Sequence, residues 1–492
     1  MTGPLPMENL ERAEAWGQAS SGMAYIFRPS TPSGLQAVFE LARDTGVPIG
    51  LRGAGRSYGD AAINSEGILV DLERMNRILA WDPASGIIEV EPGVTIEQLW
   101  RYVLGDGWWP PVVPGTMFPT VGGCLAMNVH GKNNWREGTF GEHVLEFEAL
   151  LPTGEFVVCT PEKDPELFHV MIGGLGVLGC FTRIKLQLKR VHSGQLDVLA
   201  LSVPNMDAML DDMESLRDDW EYLVGWVDCF AGGSGVGRGQ IHAANHLDDR
   251  ADPSPTQSLR LDHQDLPDTF FGLVPKSILW RFLKPFANNL GWKLVCLARY
   301  LMAKRGHGHR FKQSLAEFNF LLDYVPHWKR AYWPLGLIQY QCFVPKAEAS
   351  EAFVQILRLC QERGLPSYLG VTKRHRPDDF LLSHAVDGYS LALDFRVTRR
   401  NRQRLLALAR DLDEIVLAHS GRFYFAKDST LAPESAAGYL GAESIQSLFA
   451  LKARLDPDDL LQTDLWRRVF EPLSTREEFH HRAESRTLHS PT

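Results

Sequence analysis

No stretch of this chain approaches eighteen consecutive uncharged apolar residues, so a membrane-spanning helix is not expected. The N-terminal MTGPLPMENLERAEAW lacks both a basic n-region and an apolar core, which argues against a secretory signal peptide. Cysteine is sparse. The seven residues (Cys124, Cys159, Cys180, Cys229, Cys296, Cys342, Cys360) are odd in number, scattered, and without a C-x-x-C pair. That pattern predicts neither a zinc site nor a disulfide framework and fits a reducing compartment. Positive charge is also in deficit: 51 Lys and Arg against 60 Asp and Glu leave a formal net charge of -9. Nucleic acid is therefore not an expected partner, and any basic surface must be local.

What is present is an ordinary globular chain of 492 residues, long enough for two or three domains. The first part alternates short helices and strands. RPSTPSGLQAVFELARDTG reads as a helix with Ser33 as cap and Leu35, Val38, Phe39 and Leu41 on its apolar face. VPIGLRG, GILVDL and GIIEVEPG read as strands, and TIEQLWRYVLGDG as a helix closed by glycine. Near residue 195 the texture changes. An acidic helical segment, MDAMLDDMESLRDDWEYL, precedes strands at WVDCFAG, GLIQYQCFVP, SYLGVTKRH and YSLALDFRV. Helices at SEAFVQILRLCQERG and RQRLLALARDLDEIVLAHSG alternate with them, GRFYFAKDS reads as a strand ending in a polar turn, and a helical tail follows. The whole is α+β with antiparallel strands in a second domain.

GGLGVLG, Gly173–Gly179, contains G-x-G-x-x-G, the dinucleotide fingerprint of a strand–turn–helix unit. Here the order is reversed. DPELFHVMIG upstream reads as a helix with Asp164 and Pro165 at its start, and CFTRIKLQL downstream reads as a strand. A Rossmann reading fails on that grammar.

Other glycine-rich segments carry chemistry. In LRGAGRSYGDAAIN, Gly53, Gly55 and Gly59 punctuate a loop after a strand, and in PGTMFPTVGGCLAMNVHG, Gly122 and Gly123 precede small residues. Such loops either punctuate turns or let backbone N–H groups approach a pyrophosphate. HGKNNW, His130–Trp135, is either a surface turn with a capping Asn or a polar cluster able to relay a proton and hold an anion.

Taken together, RGAGRSYGD, PGT…PTVGG…HGKN, GGLGVLG and FYFAKDS resemble, in order and spacing, the flavoprotein oxidases of the vanillyl-alcohol oxidase (PCMH-type) superfamily. Within it the chain is similar to the oxidases of polyprenyl-phosphoryl sugars, the flavin half of a 2′-epimerase in cell-wall arabinan synthesis. The resemblance runs from about residue 20 to 470. It implies a two-domain PCMH-type FAD-binding fold with an inserted antiparallel-sheet substrate domain. Residues 1–195 would bind FAD, 196–421 the substrate, and 422–492 would return to the FAD domain.

The resemblance also assigns residues. Arg52, Gly53, Ala54, Gly55, Arg56, Ser57, Tyr58, Gly59 and Asp60 would wrap the pyrophosphate. Gly115, Thr120, Val121, Gly122, Gly123, Asn128 and His130 would line the cofactor, with Phe181 and Tyr424 approaching it. Arg56 occupies the position at which covalent members carry a histidine, so the FAD is expected to be noncovalent. His130, Lys427 and Tyr58 are the catalytic candidates, with the base open between His130 and Lys427. Lys132, Gln339, Gln341, Lys373, Ser390 and Lys427 are the substrate candidates, joined by Ala392 and Asp394. Gln339 and Gln341, two apart on a strand, share a face. Asn134 and Asn319 depart from a His and a Tyr found in some relatives.

The implied reaction is oxidation of a secondary alcohol on a lipid-linked sugar phosphate to a ketone. Electrons would pass to a quinone or other acceptor, and an NAD(P)H-dependent keto-sugar reductase would complete the epimerisation. Aldonolactone or alditol oxidation, sterol-type C=C reduction, and lipid-phosphate binding without catalysis are the alternatives. The expected location is cytoplasmic or peripheral on the cytoplasmic membrane.

A last local feature concerns Thr269–Ala316, which contains no acidic residue. It carries Lys276, Arg281, Lys284, Lys293, Arg299, Lys304, Arg305, Arg310 and Lys312 interleaved with Phe270, Phe271, Leu279, Trp280, Phe282, Trp292 and Leu294. Either it lies on an anionic membrane surface or it is an insert packed on the second domain. His307 and His309 lack the companions a metal site needs, so no metal is expected.

Overall fold

A computed structural model describes residues 5–267, 269–270 and 274–476. Three sheets organise the chain. The first, of order β1-β2-β4-β3, joins β1 (Leu10–Glu14), β2 (Ser21–Phe27), β3 (Ile49–Arg52) and β4 (Ile68–Asp71). The second has the order β5-β6-β9-β7-β8 and is antiparallel. Its strands are β5 (Ile78–Asp82), β6 (Ile87–Val90), β7 (Val144–Leu150), β8 (Phe156–Cys159) and β9 (Cys180–Gln187).

The third sheet is eight-stranded and antiparallel. It comprises β10 (Gln195–Val203), β11 (Tyr222–Val227), β12 (Gly239–His246), β13 (His309–Ser314), β14 (Leu337–Pro345), β15 (Leu369–His375), β16 (Gly388–Arg396) and β17 (Arg422–Phe423), in the order β13-β10-β12-β11-β15-β16-β14-β17. The architecture is α+β, with the first two sheets in the N-terminal part and the eight-stranded antiparallel sheet in the part that follows.

The helices used below are α1 (Pro32–Thr45), α2 (Val121–Ala126), α3 (Pro165–Met171), α4 (Met206–Leu216), α5 (Lys276–Leu283), α6 (Asn289–Arg305), α7 (Ala349–Glu362), α8 (Arg402–Ala418) and α9 (Pro433–Leu455). Helix α1 is capped by Thr31, whose hydroxyl accepts from Gly34 N at 3.1 Å, rather than by the expected Ser33. The shift follows from Pro32, which fits the first helical position because no N–H is needed there. Leu35, Val38, Phe39 and Ala42 are its buried face. Asp164 does precede α3, but in a left-handed conformation and without a side-chain cap bond.

Other differences have simple causes. GQIHAANH is β12, and of WEYL, Tyr222 and Leu223 open β11 rather than continue the acidic helix, which ends at Leu216. Of GRFYFAKDS only Arg422–Phe423 is strand. Tyr424 C=O then accepts from Lys427 N and Asp428 N, which turns the chain toward the first glycine loop. Tyr58 N donates to Ala426 O at 3.1 Å, and a Cβ on Gly59 would lie 1.8 Å from the Asp428 carbonyl. Only glycine permits that approach. Further on, Leu461 bridges Ile49 at the edge of the first sheet.

One face of the third sheet packs on α4, α7 and α8; Gly225 of β11 faces Met209 and Met213 of α4. Because successive side chains alternate, the neighbours of Gly225, Val224 and Trp226, face the other way. That second face is the floor of the site.

Candidate active site

A cavity of about 490 Å³ runs from the glycine loops to the free face of the third sheet. Its wall includes Arg52, Arg56, Lys132, Arg299, Lys373 and Lys427, and no Asp or Glu among the described residues.

At one end stand Arg52–Tyr58, Gly115, Thr120, Gly122, Gly123, Leu175, Gly176, Gly179 and Phe181. A Cβ at Gly53 would fall 2.1 Å from Thr120 Oγ1, so the two loops meet through bare backbone. Thr120 Oγ1 accepts from Gly123 N at 3.2 Å and starts α2. The Arg56 guanidinium lies 4.8 Å over Phe118, and its buried Nε has no hydrogen-bond partner among the described residues. Arg52 instead donates to the Ala62 and Glu14 carbonyls, holding the loop from behind. Bare backbone N–H groups, an uncommitted guanidinium and the absence of carboxylate suit a pyrophosphate. GGLGVLG reaches the same wall through Leu175, Gly176 and Gly179, the helix–turn–strand arrangement predicted for it.

At the other end, strand register sets three rows across the floor. His242, Val224, Lys373 and Ser390 are successive partners on β12, β11, β15 and β16. Gln240, Trp226, Val371, Ala392 and Gln341 form the second row, and Leu369 and Gln339, both paired with Asp394, the third; Asp394 itself is buried outside the wall. Above them sit His130, Lys132, Tyr58, Tyr424 and Lys427.

His130 and Lys132 are buried with Asn133 and Asn134, so HGKNNW is an interior cluster, not a surface turn. The Gln341 amide donates to His130 Nε2 at 2.9 Å, and His130 Nδ1 lies 3.5 Å from Lys373 Nζ. Burial, then Lys373, holds the His130 pKa well below the usual histidine range, so the ring is neutral. Lys132 Nζ donates to the Phe318 carbonyl. Burial lowers Lys373 to about 8 and Lys427 to about 7; Asp394 opposes the shift at Lys427. Lys427 Nζ lies 3.9 Å over the Tyr58 ring. Asp394 is raised to about 6 by burial and accepts from the Gln339 amide.

Four expected cofactor residues stand outside the wall: Gly59, Asp60, Val121 and Asn128. The Asp60 carboxylate is taken by Arg468, both oxygens at 2.8 Å. Asn128 accepts from Gly141 N at 2.9 Å and donates to Asp378 at 3.2 Å. Val121 is buried in the core of α2. Of the two departures, Asn134 accepts from His375 Nδ1 at 3.0 Å, and Asn319 is bonded to the Leu315 carbonyl away from the cavity. Trp226, Gln240, His242, Arg299, Leu322 and Tyr324 line the cavity and were not anticipated from the sequence.

The basic aromatic stretch divides by helix face. Phe271 lies outside the described residues, as do the side chains of Phe270 and Leu279. Lys276 is buried, its Nζ 3.1 Å over the Tyr324 ring, and Arg310 pairs with Asp197. Arg281, Lys284, Lys293, Lys304 and Arg305 are exposed. On α6, Leu290, Leu294, Leu297 and Leu301 are all exposed at i, i+4, i+7 and i+11, and Phe282 and Phe286 extend the patch. Trp292, Cys296 and Ala303 turn inward on the opposite face, and Arg299, on that same side but itself exposed, reaches the cavity wall with its guanidinium over Trp226. No described helix is long and apolar enough to cross a membrane, and no described group of three His, Cys, Asp or Glu suits a metal.

Residues 23–160 match a family described as an FAD binding domain. The chain is 29% identical over 472 residues to the decaprenylphosphoryl-beta-D-ribose oxidase of Mycolicibacterium smegmatis, covering 93% of this chain and 97% of that protein. Shorter similarities include a D-lactate dehydrogenase of Archaeoglobus fulgidus, 29% identical over 37% of this chain and 43% of its own length. A putative D-arabinono-1,4-lactone oxidase of Neurospora crassa is 29% identical over 34% of this chain and 30% of its own length. The bare-backbone cradle of the cavity agrees with the matched domain, and the chain is an FAD-dependent oxidoreductase similar to the PCMH-type oxidases.

Proposed function

We propose that the protein oxidises a secondary alcohol of a polyprenyl-phosphoryl sugar to a keto sugar, as the oxidase half of an epimerisation. The observation that carries this reading is the cavity itself. A floor that mixes cations and amides with apolar side chains joins the FAD cradle at one end to Arg299 and Tyr324 at the other, next to a helix with exposed leucines. The similarity over 93% of the chain to a lipid-phosphoryl ribose oxidase supports it.

FAD, when bound, supplies the acceptor for the two electrons lost by the substrate carbon. The loop Gly53–Tyr58, Thr120 and Gly123 would hold its pyrophosphate. Lys427 Nζ, lowered to about 7, is neutral often enough at physiological pH to take the hydroxyl proton. His130 is a weaker base, since burial and Lys373 oppose its protonation. His130, fixed by Gln341, and Tyr58, beneath Lys427, position the sugar, while Gln339, Gln341 and Ser390 read its hydroxyls. The keto product would go to a separate NAD(P)H-dependent reductase, and a quinone or other acceptor would take the electrons.

Anaerobic addition of a polyprenyl-phosphoryl pentose is expected to bleach the flavin. A flavin that stays oxidised with it but is bleached by an aldonolactone would move the protein to the soluble-oxidase reading. The residues before Lys427, Phe425 and Ala426, in place of the His and Trp of that group, weigh against that outcome. The cofactor is expected to be noncovalent, because the arginine side chain at Arg56 cannot form the histidyl–flavin bond. Acid precipitation should leave yellow FAD in the supernatant; flavin in the pellet refutes this.

A further inference from the structure

Apart from Lys373 and Lys427, the basic side chains of the cavity fall into two groups. Arg52 and Arg56 stand at the glycine loops, while Lys132, His242 and Arg299 meet at the far end of the floor. Several contacts bring the second group together. Leu223 N donates to the Lys132 carbonyl at 2.9 Å, fixing Lys132 beside β11. The next residue, Val224, is paired with His242 on β12. Trp226, two residues further on, carries the Arg299 guanidinium at 4.2 Å from its ring, and its own partner Gln240 adds a neutral donor.

We infer that Lys132, His242 and Arg299, with Gln240, form a second anion subsite, separate from the flavin cradle, that binds a phosphoryl group. Burial, followed by Lys132 and Arg299, depresses His242 to about 4. Basic groups crowded in this way, with no carboxylate on the wall, are stabilised by a bound anion. Arg299 also fixes which way the phosphoryl group faces. It projects from the inner side of α6, whose outer side carries Leu290, Leu294, Leu297 and Leu301. A phosphate held there leaves an attached alkyl chain one helix diameter, about 10 Å, from an exposed apolar stripe. The sugar then extends over Trp226 and Val371 toward Lys427. This inference rests on the lipid-linked reading above for the identity of the ligand, but not for the existence of the subsite.

The test uses the FAD-loaded protein, so that the pyrophosphate cradle is filled. Titration calorimetry with dodecyl phosphate and with ribose 5-phosphate is expected to show one site for each. Tighter binding of dodecyl phosphate by tenfold or more assigns the site to a lipid phosphate, and equal binding assigns it to a soluble sugar phosphate. Arg299→Glu should weaken both at least tenfold without lowering FAD content. Arg299→Met, which keeps packing on Trp226, gives the same loss if the first variant folds poorly. Unchanged binding in a folded Arg299 variant, or no binding by wild type, overturns the subsite. Wild type that binds phosphates but is not reduced by a polyprenyl-phosphoryl pentose keeps the subsite and refutes the proposed reaction. Reduction without phosphate binding does the reverse.

Discussion

Lys427→Ala is expected to fold, to keep its FAD, and to lose substrate-dependent flavin reduction by about 10²- to 10⁴-fold, the usual worth of a positioned general base. The side chain reaches the cavity from the turn after β17 and lies over the Tyr58 ring; Tyr58 N and Ala426 O remain paired without the ammonium. Its pKa, lowered to about 7 by burial, also sets a pH profile. The neutral amine is the active form, so the rate of flavin reduction should rise as pH rises through about 7 and level off above it. The neighbouring groups are Asp394, at about 6 and favouring the charged amine, and Lys373, at about 8 and opposing it. Loss of that rise in Lys427→Ala, measured by anaerobic stopped flow, identifies the titrating group. A variant that reduces at the wild-type rate with the wild-type profile removes Lys427 from the mechanism. Loss of FAD from the variant recasts Lys427 as a binding residue.

Much of this end of the site is legible in the sequence. Glycine loops must expose backbone, and Arg52–Tyr58, Thr120, Gly122 and Gly123 stand on the cavity wall. Alternation on a strand was enough to place Gln339 and Gln341 on one face, and register then adds Ser390, Ala392 and Lys373. Asp60 and Asn128 stand outside the cavity wall because a polar residue beside a glycine loop has a second use. Asp60 ties the loop to Arg468, and Asn128 ties α2 to the segment around Asp378. No local pattern separates that use from ligand binding.

The far end of the floor was missed for a different reason. β11 and β12 join residues more than a dozen positions apart in a register that only pairing defines, so Trp226 and His242 carry no local sign of facing Lys373. The signal that existed was the alternation in GQIHAANH, where Gln240 and His242 share one side. Helix α6 hides its organisation even better. Trp292, Cys296 and Ala303 make one side apolar, and Leu290, Leu294, Leu297 and Leu301 make the opposite side apolar too. A helix apolar on two opposite sides has little amphipathic periodicity, so the sequence shows a basic, greasy segment and not its two faces.

Those two faces set the final prediction, peripheral attachment to an anionic bilayer through the outer side of α6. Buried apolar surface inside a protein needs no further partner, but four leucines in line on an exposed helix, next to Phe282 and Phe286, form a patch that marks a contact site. The cations around it are Arg281, Lys284, Lys293, Lys304 and Arg305, and no carboxylate lies between Thr269 and Ala316 to offset them. Each contributes on the order of 1 kcal/mol near an anionic surface, and leucine side chains entering the interface add apolar burial. Lys276, though part of the basic run, is buried against Tyr324 and belongs to the fold, so it is left intact in the test. Changing Lys284, Lys293 and Lys304 to Glu should abolish co-flotation with vesicles rich in phosphatidylglycerol, while Leu294→Ser with Leu301→Ser should weaken it at all salt concentrations. The wild-type interaction should fade between low salt and 0.5 M, because screening acts on its electrostatic part. FAD content should not change in either variant, since the exchanged side chains are exposed and stand outside the cavity wall. If wild type stays in solution with anionic vesicles at low salt, the leucine face serves another contact, and the substrate must reach the cavity without a bilayer beneath it.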